Sequence, residues 1–198
     1  MKKCLILGGL GACLVAVAWF GWRFSHRPQV PLDPRWGTVV DSYNNVMVYY
    51  NGDVSTTNGR HLAADGYNLG LKYQCVEFVK RYYYEHLHHK MPDSYGNAKD
   101  FFDTALGDGT RNAKRDLIQY TNPSSTKPRV DDLLIFDGSE TNCYGHVAIV
   151  CDVNDEEVTL IQQNPGPSAE SRVAIGMTHT ADQWQIANSR ILGWLRKE

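Results

Sequence analysis

The sequence predicts an α+β domain with N-terminal helices packed on an antiparallel sheet. One amphipathic helical stretch lies early in the chain, and a series of short, β-rich apolar runs separated by turn residues lies late. The helical stretch runs from about Gln74 to His89, where Phe78, Val79, Tyr82 and Tyr83 recur on one face at helical spacing. A second helix is expected from Asn97 to Ala105. The sheet is expected from Leu133–Phe136, His146–Val150, Val158–Ile161 and Ile191–Leu195. Ahead of the helices, Thr38 to Tyr50 is rich in Val and Tyr around Asn44-Asn45 and reads as a hairpin. Asn51 to Asn68 reads as a polar, Gly-bearing loop, and a Pro-rich loop separates helices from strands near Pro123–Pro128.

With 198 residues, 42% hydrophobic and 21% charged, the chain has room for one sizeable core and a short extension. Eleven tyrosines and five tryptophans argue against disorder. Net charge is −2; with Lys2 and Lys3 set aside, 18 basic residues face 22 acidic ones, a balance of −4. No basic stripe stands out, so nucleic acid is not an expected partner.

The chain divides into three expected regions: residues 1–22, a tether at 23–35, and a domain at 36–198. Cys4 to Trp22 carries no charge and follows Lys2-Lys3, and it is just long enough to cross a bilayer core as a helix. Trp19 and Trp22 suit an interface. Three readings of this segment stand: an uncleaved anchor, a signal peptide cleaved after Ala16-Val17-Ala18, and a lipoprotein signal ending at Cys13. Each makes the membrane a partner. Each also places the domain outside the cytoplasm, at a bacterial inner membrane facing the periplasm or exported. Arg23 to Pro34 is the Pro-rich tether.

Cys75, Cys143 and Cys151 remain in the domain, an odd count that fits one free reactive thiol. Cys75 sits where a loop bearing Gly66 and Gly70 enters the helix. The positive end of the helix dipole there is expected to favour thiolate, the form that attacks a carbonyl. His146 opens the strand Gly145-His146-Val147-Ala148-Ile149-Val150, sharing a face with Ala148 and Val150. Gln162 and Asn164 stand two apart and face one side of the next strand, as a third member orienting the imidazole would. Singly, each residue fits a plainer role: a buried thiol, a core histidine, polar strand ends. Cys143-x-x-His146 with Cys75 falls short of a four-ligand zinc set, so no metal or cofactor is expected.

Four ordered segments resemble one family: Gly70-x-x-x-Gln74-Cys75-Val76-Glu77-Phe78, Gly145-His146-Val147-Ala148-Ile149, Gln163-Asn164 and Ile191-Leu192-Gly193-Trp194. They look like the CHAP family of cysteine, histidine-dependent amidohydrolases and peptidases. Within it they look most like the amidase half of bifunctional glutathionylspermidine synthetase/amidase. The resemblance spans roughly Gly37 to Leu195 and implies a papain-like CHAP fold. It implies Cys75 as nucleophile, His146 as base, and the Gln74 side chain beside the Cys75 N–H in an oxyanion hole. The family usually has Glu where Gln162 stands, so the resemblance places Gln162 as the histidine's partner. Lys80 replaces an arginine common in the amidase branch, a position near substrate, and Asn164 joins it as a substrate or orienting candidate.

The expected function is amide-bond hydrolysis on a peptide or peptidoglycan substrate. A glutathionylspermidine-type amidase is the first alternative, and a non-catalytic, wall-binding CHAP-like domain is the second.

Overall fold

The computed structural model describes residues 33–198, and Pro34–Glu198 forms one compact unit. The N-terminal segment and most of the tether lie outside the described residues. Among the described residues, no helix is long and apolar enough to cross a membrane.

The described residues open with the expected hairpin, β1 (Val39–Tyr43) and β2 (Val46–Tyr49). Asn44 and Asn45 take φ of 47° and 64°, the paired left-handed conformation that closes a two-residue turn and that asparagine tolerates. A second small hairpin follows, β3 (Arg60–Leu62) and β4 (Asn68–Leu71), where the sequence reads as loop. Helix α1 spans Cys75–Glu85 and so ends short of His89. Phe78, Val79, Tyr82 and Tyr83, the predicted apolar face, are fully buried.

The expectation of N-terminal helices is corrected. Among the described residues α1 is the one α-helix, and two strand pairs precede it. The stretch expected to form a second helix holds only a single 3₁₀ turn, Lys99–Phe101. Gln119 explains the break: its side chain accepts from the Asp103 N–H and donates to the Asp103 carbonyl, both at 2.9 Å. A tertiary amide–backbone pair thus takes groups that a continuing helix would use.

The remaining strands are β5 (Thr110–Asn112), β6 (Leu117–Thr121), β7 (Leu133–Phe136), β8 (His146–Val153), β9 (Glu157–Ile161), β10 (Arg172–Thr180), β11 (Gln183–Ile186) and β12 (Ile191–Arg196). They form one antiparallel sheet in the order β11-β10-β9-β8-β7-β12-β6-β5. Its two faces carry separate cores, as period-two alternation requires. Leu133, Ile135, Val147, Ile149 and Ile161 pack with α1. Leu134, Phe136, Ala148, Val150 and Trp194 form the other core.

Two glycines permit the close approaches around Cys75 and His146. Gly70, at φ 131°, lets β4 lie against α1; a Cβ there would sit 3.3 Å from the Glu77 backbone. Gly145, at φ 77°, precedes His146, and a Cβ there would come within 2.5 Å of the Phe136 carbonyl oxygen.

Candidate active site

Cys75 is the first residue of α1, with Gln74 as its extended N-cap. Its backbone N–H is among the helix's first donors, which have no partner within the helix. Its thiol lies beside the backbone N–H of Val147, the residue after His146. Cys75, His146, Gln74 and Asn164 all line one cavity of about 470 Å³. Among the described residues no hydrogen bond joins the thiol to the imidazole, a loose arrangement common in unliganded active sites.

His146 is oriented by Gln162. The imidazole Nε2 lies 2.9 Å from Gln162 Oε1, and Gln162 Nε2 donates to the Glu170 carbonyl at 3.0 Å. The second bond fixes which end of the amide faces the ring. Because an amide oxygen only accepts, Nε2 must carry the proton, and Nδ1 is left with its lone pair. The arrangement therefore holds a base-ready imidazole, the tautomer a thiol could protonate.

The electrostatics overturn the expected thiolate. Burial pushes the Cys75 thiol up to about 11, outweighing the lowering by the backbone N–H groups around it. Burial likewise pulls the His146 imidazole down to about 4, against the raising effect of Gln162. Desolvation penalises both charged forms, and the resting pair at neutral pH is thiol and neutral imidazole.

Gln74 lines the cavity, but its amide N–H groups are engaged. Nε2 donates to the carbonyls of Thr56 (2.7 Å) and Val54 (3.2 Å), while Oε1 accepts from Asn164 Nδ2 at 2.7 Å. In this state the side chain braces the loop over the cavity instead of presenting a donor to it. Asn164, at φ 56°, completes that brace. Its buried Oδ1 has no hydrogen-bond partner among the described residues.

Lys80 lies elsewhere. It is 1% exposed, its ammonium donates to the carbonyls of Asn68 and Ser94, and it sits over the Tyr67 ring. Burial, with Arg115 and Arg60 nearby, lowers it to about 8. It ties the loop at Ser94 to β4, and it does not line the cavity.

A network behind the site went unassigned in the sequence. Glu77, fully buried on α1, faces His61 Nδ1 at 2.8 Å and accepts from Arg81 Nε at 2.6 Å and Gln163 Nε2 at 2.9 Å. Burial pushes its carboxyl up, but His61 and Arg81 together hold it below the usual range. Gln163 also donates to the Gln74 carbonyl and accepts from the Tyr49 N–H, so it links β2, the start of α1 and the end of β9. The available signal was Glu77 itself, a charge amid Val76, Phe78 and Val79 with Arg81 four residues on.

With this geometry in view, residues 65–164, half of the chain, match the CHAP domain. The chain belongs to the CHAP family. CHAP is a family of amidohydrolases and peptidases. A relative by sequence is trypanothione synthetase from Crithidia fasciculata, 29% identical over 120 residues, 61% of this chain. The matched region is 18% of that longer protein. The match accords with the resemblance to the amidase half of the synthetase/amidase branch. A solved structure, "The crystal structure of Ly7917", aligns with 14% identity and a TM-score of 0.34, covering 63% of this chain and 53% of that one.

Proposed function

We propose that this CHAP domain is a cysteine amide hydrolase with Cys75 as nucleophile, His146 as general base and Gln162 as the residue orienting the imidazole. The observation that carries the reading is the His146–Gln162 bond. It leaves Nδ1 unprotonated in the cavity that Cys75 lines from the start of α1. Attack on the amide carbonyl moves the thiol proton to Nδ1 as the C–S bond forms, so neither buried charge has to exist alone beforehand. The developing oxyanion is met by the Cys75 N–H at the helix N-terminus. Gln74 adds a second donor only when it lets go of Val54 or Thr56. Collapse breaks the C–N bond and His146 returns the proton to the departing amine. Water, deprotonated by the same imidazole, then hydrolyses the thioester and restores the thiol.

The favoured substrate is a peptidoglycan stem peptide. An apolar segment behind Lys2-Lys3 supports an exported or membrane-held domain, and cell-wall peptide is the abundant amide polymer there. The match to trypanothione synthetase supports a second reading, an amidase acting on a glutathionyl–polyamine conjugate. Purified sacculi, synthetic stem peptides and glutathionylspermidine, each incubated with wild type and Cys75→Ala, separate these readings. Release of stem fragments by wild type alone is the expected result. Cleavage of the conjugate alone selects the second reading. Turnover surviving in Cys75→Ala overturns the assignment of the nucleophile. Sacculus binding without any cleavage overturns catalysis in favour of a binding domain.

A further inference from the structure

We infer that Arg60 makes the cavity beside Cys75 selective for a substrate that carries a carboxylate. The inference rests on the hydrolase reading for the word substrate and adds to it a charge class. Arg60 lies on β3 opposite Leu71 of β4, and both line the cavity with Cys75 and His146. The next residue, His61, is instead engaged with Glu77, as strand alternation requires. Among the residues lining the cavity, Arg60 is the one with a permanent charge.

The guanidinium is held in place but not neutralised. Nη1 donates to Asn68 Oδ1 at 3.1 Å, and Asn68 is itself anchored by donating to the Ser94 carbonyl. The Tyr95 ring lies 5.6 Å away. Among the described residues no carboxylate forms an ion pair with Arg60. Of its five N–H donors one is taken by Asn68, which leaves a fork suited to bidentate capture of a carboxylate. The exposed rings of Tyr95 and Tyr144 bound the same cavity. A cationic group entering here meets like charge and gains nothing, so a polyamine end is disfavoured in this part of the cleft.

The test compares two alkylating agents that form the same C–S bond at Cys75 with loss of iodide: anionic iodoacetate and neutral iodoacetamide. Peptide mass mapping follows Cys75, with exposed Cys143 as reference in the same chain. The readout is the iodoacetate/iodoacetamide rate ratio, which cancels any general change in thiol reactivity. At Cys75 of wild type it is expected to exceed that at Cys143 by roughly three- to tenfold. It should fall to the Cys143 value in Arg60→Gln, persist in Arg60→Lys, and collapse in about 0.5 M salt. A wild-type ratio equal to that of Cys143, or one that Arg60→Gln leaves unaltered, overturns the inference. Labelling needs only a thiol, so a shifted ratio without any amide turnover sinks the hydrolase reading and leaves the anion site standing. Equal kcat/KM for a cleaved stem peptide and its carboxamide form does the opposite.

Discussion

Replacing Gln162 by Glu should move the acid limb of the enzyme's pH profile. In the free enzyme the His146 imidazole sits near 4, chiefly through burial, with Gln162 opposing the shift. A carboxylate in place of the amide adds charge attraction to imidazolium. At a separation of about 4 Å and an effective dielectric of about 20, that attraction is about 4 kcal/mol, an upper bound near three pKa units. Two features reduce it. His146 is partly exposed, so solvent screens part of the field. The carboxylate's second oxygen would also face the Glu170 carbonyl, to which the amide now donates. Losing that bond costs about 1–3 kcal/mol of stability. The acid limb of kcat/KM should therefore rise by about one to two units, from near 4 towards 5–6. Neutral imidazole is the required form, so activity is lost as pH falls through the limb, and the variant loses it sooner. At pH 7 kcat should hold or rise, because imidazolium forms in the transition state. Gln162→Ala should instead lower kcat by on the order of 10² with KM nearly constant. Initial rates on a soluble stem peptide from pH 3 to 10 give the profiles, and thermal denaturation gives the stability cost. An acid limb that stays near 4 in Gln162→Glu would refute the pairing of Gln162 with the base.

Two further predictions concern the thiols and the network behind them. Alkylation of Cys75 by iodoacetamide should be slow at pH 7 and climb towards its thiol pKa of about 11, behind exposed Cys143; a rate already flat between pH 6 and 7 would mean a preformed thiolate–imidazolium pair. Glu77→Ala should cost about 3–5 kcal/mol in urea denaturation, because it strands the buried Arg81 guanidinium; a loss below about 1 kcal/mol would show that solvent already reaches that network.

Features whose cause is local were legible in the sequence. Asn44-Asn45 announces a hairpin because few other residues accept two left-handed turns in a row. The apolar face of α1 shows at helical spacing, and Gln162 stands where a strand would turn it towards His146. Features decided by distant partners were not legible. The second helix failed because Gln119, far along the chain, captures Asp103. Strand β10 carries Val173, Ile175 and Met177 at alternate positions, but it lies next to the sheet edge and of these three only Met177 is buried, so it holds no run of core residues like those of β7 or β8. The protonation of the thiol is hidden from the sequence for a similar reason. Sequence position reveals the helix terminus that favours thiolate, but the burial that opposes it is a property of the assembled fold. Lys80, a substrate candidate by resemblance, is instead enclosed by backbone carbonyls.

Gln162 and Gln163 are neighbours with the same side chain and opposite duties, one serving the imidazole and the other joining the hairpin to the helix. A one-residue slip at the end of β9 would still offer His146 a glutamine, so the polar site by itself is nearly blind to that error. Discrimination falls to the apolar residues before it. Slipping would turn Ile161 away from the helix-side core and Leu160 away from the opposite one. The register that sets Gln162 against His146 is thus guarded by greasy side chains of the two cores. In this fold, errors in chemistry would be proofread by packing.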